Sequence, residues 1–300
     1  MKDAVLRAID LVMRYKDVRV LNGLNLQVAE GSVFGLIGPN GAGKTTTIKT
    51  FMNILTPTRG RCEVLGIDSR ELRDDYFAQI GYVSENQEMP GWMTVEYLLS
   101  YLKPFYPTWD DSRAKELLRQ FKLPLDRKLR DLSRGMWMKA SLTSSLAYRP
   151  KLLLLDEPFS GLDPLVREEL IEGLIDCAEE TTILVSSHDL ADIESFASHI
   201  GYLENGRLQF SEEMTSLSAR FREVEVTVEP PAAVPAAREW PATWLRPEAS
   251  FALIRFVDSS FEENRSVFQI REIFGEVQQI SVNPMPLRSI FLTLARGSRS

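Results

Sequence analysis

The sequence predicts an α/β fold with a mainly parallel core sheet, accompanied by an antiparallel β subdomain, an inserted helical subdomain and a small C-terminal α+β domain. Three observations carry this prediction. A continuous apolar run at 152–155 and a second segment at 182–186 read as buried strands, and they alternate with helix-patterned stretches, the grammar of βαβ units. A glycine-rich run at 38–45 follows the apolar residues 33–37 directly and leads into a helical pattern. Finally, Asp156, Glu157 and His188 stand at or just beyond the ends of buried strands, where open sheets of this kind collect their ligands.

The elements follow in order. Residues 5–9, 18–21 and 24–28 read as short strands with Asn22-Gly23 and Glu30-Gly31 as turn signals, an antiparallel sheet that feeds the glycine-rich run. A helix is expected over 45–55, a turn over 57–60, and strands over 61–65 and 79–83. From about 94 to 148 apolar residues recur at helical spacing, interrupted by Pro104, Pro107 and Pro124, which marks a helical insertion of about 86–148. A buried strand over 151–157, a helix over 165–180, a second buried strand ending near His188 and a short helix over 190–197 complete the α/β part. Past about 215 the pattern changes. Val224, Val226 and Val228 alternate with acidic or polar neighbours, and 230–241 is an Ala- and Pro-rich loop or insertion. A strand over 251–257, a helix over 261–274 and a strand over 277–282 then suggest a separate module. The expected domains are therefore 1–215 and 216–300.

Composition narrows the function. With 300 residues and 44% hydrophobic content the chain can bury a sizeable core. No apolar run approaches the roughly 18 residues of a membrane span, and the N-terminus lacks the basic start and apolar core of a signal peptide. The expected location is cytoplasmic. Cys62 and Cys177 lie far apart without metal-ligand spacing, so reduced core cysteines are expected. The 35 basic against 42 acidic side chains give a net charge of −7, which disfavours a broad nucleic-acid surface.

The run Gly38, Pro39, Asn40, Gly41, Ala42, Gly43, Lys44, Thr45, continued by Thr46, has the make-up of a phosphate-binding loop. Its glycines let backbone N–H groups turn toward phosphate oxygens. Lys44 brings a point charge to the outer phosphates, the Thr45 hydroxyl suits magnesium, and the helix that follows adds its positive end. The expected ligands are a nucleoside triphosphate and Mg2+. Hydrolysis further needs a metal-holding group and a group that orients water. Asp156 suits the first and the adjacent Glu157 the second, with His188 as a hydrogen-bond partner of the outer phosphate.

Three further segments complete the set: Leu132 Ser133 Arg134 Gly135 Met136 before a helix, Ser160 Gly161 Leu162 Asp163 after Glu157, and His188. In this order the motifs resemble the ATP-binding cassette (ABC) family across about residues 3–215. The resemblance implies a phosphate-loop ATPase that works as a head-to-tail pair, a homodimer or a heterodimer, with each ATP between the loop of one subunit and Ser133 and Gly135 of its neighbour. It also implies that Tyr15 stacks on adenine and that Asp163 couples the two sites. The C-terminal part resembles the accessory domain of bacterial efflux-type cassettes. Such subunits drive a separately encoded membrane permease, so a peripheral place on the inner face of the cell membrane is expected, with no nucleic-acid partner. Residues 90–110, with Trp92, Tyr101, Phe105 and Trp109, are either a permease-docking face or an aromatic core.

Two departures from the family pattern stand out. The signature usually reads Leu-Ser-Gly-Gly-Gln, but Arg134 and Met136 replace its third and fifth residues. Glu85 stands where the family places a magnesium-reaching Gln, with Gln87 nearby; a carboxylate there can ligate the metal but repels phosphate. The alternative reading is a soluble cassette ATPase acting on DNA or ribosomes, which usually carries a long coiled-coil insertion or two fused cassettes; neither is present. A phosphate-loop kinase leaves Ser133, Gly135 and the 160–163 segment without a role.

Overall fold

The computed structural model describes residues 3–229 and 240–297. The chain divides into two compact units, 1–211 and 212–300. The first runs β1 (Ala4–Tyr15), β2 (Val18–Ala29), β3 (Val33–Ile37), α1 (Lys44–Phe51), β4 (Arg59–Val64), β5 (Ile67–Asp68), α2 (Asp74–Phe77) and β6 (Ile80–Ser84). It continues with α3 (Val95–Leu102), α4 (Asp111–Gln120), α5 (Arg134–Leu146), β7 (Leu152–Asp156), α6 (Pro164–Cys177), β8 (Thr182–Ser187), β9 (His199–Glu204) and β10 (Arg207–Glu213).

Two sheets organise this unit. The first has the order β2-β1-β4-β5, with β1 antiparallel to β2 and β4, and β4 antiparallel to β5. The second has the order β10-β9-β3-β8-β7-β6, with β9, β3, β8, β7 and β6 running parallel. Strands β3, β7 and β8 are buried along their whole length, which is why apolar residues stand next to one another in each instead of alternating with polar ones. Leu6, Leu11, Leu24, Phe51 and Leu36, each essentially inaccessible, belong to one core shared by both sheets and α1. Burying each such side chain contributes about 1.5–3 kcal/mol.

The structure corrects several local expectations. The three short strands expected before residue 30 are two long ones. Asn22-Gly23 is not a turn but a bulge inside β2, where Leu11 pairs with Leu24 and Val12 with Asn22, so Gly23 is the extra residue at φ 73°. Leu21, Leu24, Leu26 and Val28 all bury against the same core, which keeps the chain in one strand through the bulge. Helix α1 ends at Phe51, short of the expected 55, and Asn53 just beyond it takes φ 53°. The helix expected over 190–197 is only a 3-10 turn at Leu190–Asp192, and β9 and β10 were not anticipated. Both cysteines are free and buried, and burial pushes each thiol up to about 12. They are unreactive at neutral pH.

The helical insertion contains α3, α4 and α5. Thr94 caps α3 through its side chain and Asp110 caps α4. Tyr148, at the end of this stretch, stacks on Tyr106 at 3.8 Å and donates its hydroxyl to the Ile80 carbonyl at 2.9 Å.

The second unit contains α7 (Met214–Arg220), β11 (Arg222–Val228), β12 (Trp244–Ser250), β13 (Leu253–Asp258), α8 (Glu263–Phe274), β14 (Val277–Pro284) and α9 (Leu287–Gly297). Its strands form an antiparallel sheet in the order β12-β13-β11-β14, the strand order of ferredoxin-like folds. Val224, Val226 and Val228 turn one face of β11 into a core with Trp240, Trp244, Phe256 and Ile270. The alternation read at 224–228 is thus one buried face. Helices α7 and α9 and strand β12 were not anticipated; of the Ala- and Pro-rich 230–241, residues 230–239 lie outside the described residues.

Candidate active site

Strand β3 delivers Gly38 to the C-terminal edge of the parallel sheet, where its N–H donates to the Ser187 carbonyl of β8 at 3.2 Å. A side chain does not fit there: a Cβ on Gly38 would lie 2.1 Å from the Leu203 carbonyl oxygen of β9. Ala42 N–H closes the turn onto the Pro39 carbonyl at 3.1 Å, and Asn40 and Gly41 stand exposed at its tip. Gly43 then enters α1 at φ 108°, with space for a Cβ closed off by Leu21 at 2.6 Å. The amides of Gly41, Gly43, Lys44, Thr45 and Thr46 donate to no backbone group among the described residues. With the positive end of α1 behind them they form a cradle for an anion.

Three charged groups meet beside this cradle. Lys44, 5% exposed, donates its Nζ to the carbonyls of Gly38 at 2.6 Å and Pro39 at 3.2 Å, and lies 3.0 Å from Glu157 Oε1. The other Glu157 oxygen is 2.8 Å from His188 Nδ1. Glu157 takes φ 51°, a conformation that costs a non-glycine residue about 1–2 kcal/mol. Its N–H donates to Ser186 Oγ at 3.0 Å, which helps to hold that turn. The carboxylate therefore bridges the ammonium of the loop and the imidazole beyond β8.

Asp156, the last residue of β7, is 3% exposed. Its Oδ1 accepts hydrogen bonds from Thr45 Oγ1 at 3.0 Å and Ser186 Oγ at 2.8 Å. Burial raises its carboxyl above the ordinary carboxylate range, and these two hydroxyls pull it part of the way back. A hydroxyl and a buried carboxylate at the mouth of an anion cradle suit a hard, oxygen-preferring cation such as magnesium. Among the described residues no metal-holding cluster of three or more His, Cys, Asp or Glu is present; Thr45 and Asp156 are the groups that would hold such an ion.

The other expected residues fall at three places. Ser133 caps α5, accepting the Met136 N–H at 3.3 Å, and Gly135 is buried where a Cβ would meet Val166 of α6 at 2.7 Å. Asp163 caps α6 through the Val166 N–H at 3.1 Å. Tyr15, 45% exposed, ends β1 and is paired with Val18, at the tip of the hairpin whose Val20 and Leu21 lie against Gly43. Glu85 follows β6, and its N–H donates to the Asp156 carbonyl at 3.1 Å. Its side chain, expected to reach the metal, instead forms an ion pair with Arg134.

The family model described as ABC transporter matches residues 21–160. The chain is 29% identical over 284 residues to the ABC transporter ATP-binding protein YtrB of Bacillus subtilis (strain 168), covering 94% of each. It is also 31% identical over 222 residues to the bacitracin transport ATP-binding protein BcrA of Enterococcus faecalis, covering 73% of this chain and 72% of that one. The chain belongs to the ABC transporter ATP-binding family. Among solved structures, the ATP-binding subunit of an ABC transporter superposes with TM-score 0.65 at 30% identity, covering 72% of this chain and 92% of that one. A dimeric bacterial ABC transporter cassette shares the fold with TM-score 0.63.

Four side chains of this cassette escaped sequence reasoning. Ser186 joins Asp156 to Glu157, and Ser187 bonds Asp192, which pairs with Arg167 of α6 at 2.7 Å. The hydroxyl pair just before His188 was the available signal. What it lacked was the register that sets Ser186 beside Asp156 across β7 and β8.

Proposed function

We propose that this ABC ATPase hydrolyses ATP to ADP and phosphate between its own phosphate loop and the Ser133–Gly135 segment of a second ATPase subunit, identical or related. The cycle of pairing and opening then drives a separately encoded membrane permease in export. The observation that carries the proposal is the Glu157 carboxylate held between Lys44 and His188, beside Asp156 and Thr45. Lys44 and the loop amides bind the phosphates, and Glu157 accepts a proton from the attacking water as its oxygen bonds to the terminal phosphorus and the bond to ADP breaks. His188 orients Glu157 or the outer phosphate through its hydrogen bond. Thr45 and Asp156 would hold magnesium, which when bound neutralises charge on the phosphates.

The pairing is supported by the dimeric cassette that shares this fold, and export by the bacitracin transport protein among its relatives. A permease partner is supported by the exposed aromatics of the helical insertion. Trp92, Tyr101 and Phe105 are 61%, 50% and 62% exposed, whereas Trp109 is half-buried. No described helix is long and apolar enough to cross a membrane, so this reading puts the subunit on the inner face through its permease. The relatives favour it over action on DNA or ribosomes.

Glu157→Gln tests the assignment. It should cut ATP hydrolysis by about a hundredfold or more and accumulate an ATP-bound dimer on size-exclusion chromatography; near-normal turnover rejects it.

A further inference from the structure

The two departures from the family pattern, an acid at 85 and a cation at 134, are one structural feature. Glu85 stands one residue beyond Ser84, the β6 partner of Asp156, and its N–H is bonded to the Asp156 carbonyl at 3.1 Å. Its backbone is thereby tied to Asp156, whose carboxylate meets the Thr45 hydroxyl at the phosphate cradle. Left unpaired, a third carboxylate bordering the site of Asp156 and Glu157 would oppose a triphosphate by like-charge repulsion. Arg134, the first residue of α5, ion-pairs with Glu85. The same guanidinium lies over the turn after Glu157: a Cβ on Gly161, which takes φ +63°, would sit 2.9 Å from Arg134 Nη1. One side chain thus reaches two loops that border the site, one at each end of the Glu85 to Gly161 span. A planar guanidinium with five donors suits such a double contact better than an ammonium.

We propose that Arg134 is a positioning residue for the nucleotide site of its own chain, neutralising and holding Glu85 so that ATP meets no additional free carboxylate. This deepens the reading of the site as an ATP site and rests on it. An ion pair serving only as structure would make both single variants similarly harmful. Charge cancellation predicts an asymmetry: losing the cation exposes the acid, whereas losing the acid removes the repulsion.

The experiment titrates a fluorescent non-hydrolysable ATP analogue with magnesium into wild type, Arg134→Gln, Arg134→Lys, Glu85→Gln and the Glu85→Gln/Arg134→Gln double variant. Circular dichroism confirms the fold of each; Arg134 is 47% exposed in its side chain, so its replacement leaves the core untouched. Arg134→Gln should weaken binding about tenfold, the scale of one unscreened like-charge contact near the surface. Arg134→Lys, which keeps the charge but not the double contact, should bind more tightly than Arg134→Gln and no better than wild type. Glu85→Gln should bind as well as wild type or better, and the double variant should recover to within about twofold of it. Equal binding by wild type and Arg134→Gln, or a double variant no better than Arg134→Gln, overturns the proposal. Failure of the wild type to bind the analogue would instead sink the ATP-site reading.

Discussion

At the residue scale, the chemistry of this site turns on how a few charges are compensated. Lys44 is buried against two carbonyls and Glu157, and Asp156 is buried against two hydroxyls. The raised carboxyl of Asp156 has a consequence for stability. Relative to the unfolded chain, the folded state disfavours the ionised form. The associated stability is therefore present below the ordinary value of 3.8 and is lost as pH rises through the higher folded value. Asp156→Asn should accordingly melt about 2 °C above wild type at pH 7 in the absence of nucleotide and magnesium, with the gap closing near pH 4. The same variant should lose the extra stabilisation that magnesium and nucleotide together give wild type. Thermal unfolding at the two pH values, with and without both ligands, checks both halves; a pH-independent gap counts against the assignment. Lys44, Asp156 and Glu157 were legible because their chemistry is written in contiguous motifs. Ser186 was not, because its role depends on lying across from Asp156 in a neighbouring strand.

At the element scale, the parallel sheet places the loop and constrains it sterically. Gly38 sits so close to β9 that a methyl group would overlap a backbone carbonyl, which cannot move without disturbing the sheet. Gly41, at φ +82°, has nothing within 4 Å of a would-be Cβ and requires glycine only for its conformation. Gly41→Ala should thus cost about 1 kcal/mol, and Gly38→Ala at least twice that, together with nucleotide binding. Urea unfolding ranks the two, and an equal cost would mean that β9 yields freely. Strands such as β7 and β8 were legible as apolar runs between helices. β9 and β10 were overlooked although Asn205-Gly206, both at positive φ, joins them as a two-residue hairpin would require. The opposite error occurred at Asn22-Gly23, where the same dipeptide chemistry makes a bulge because the residues on both sides bury into one core.

At the scale of the whole molecule, the proposed composite site makes a prediction about mixtures. Lys44→Ala removes the loop charge and Ser133→Ala the hydroxyl contributed to the neighbour, so each variant alone should hydrolyse ATP poorly. In an equal mixture that assembles at random, half the dimers are mixed and each holds one intact site of two. Activity should then recover to about a quarter of wild type, read as phosphate release from the mixed sample; complete absence of recovery rejects sharing of the site. For the second unit, the sheet order β12-β13-β11-β14 came from the structure, since alternation at 224–228 announces a half-buried strand without naming its partners.

By itself the sequence determined the glycine-rich loop, the acid pair at the end of β7, the alternation of strand and helix and the family motifs, because each is carried by residues adjacent in the chain. Only the tertiary structure decided which distant groups compensate one another: Glu157 between Lys44 and His188, Ser186 beneath Asp156, and Arg134 against Glu85. The physical reason is that charge and hydrogen-bond partners are chosen by distance in space. In this chain that distance is set by parallel strand register and by the approach of α5, neither of which any local pattern records.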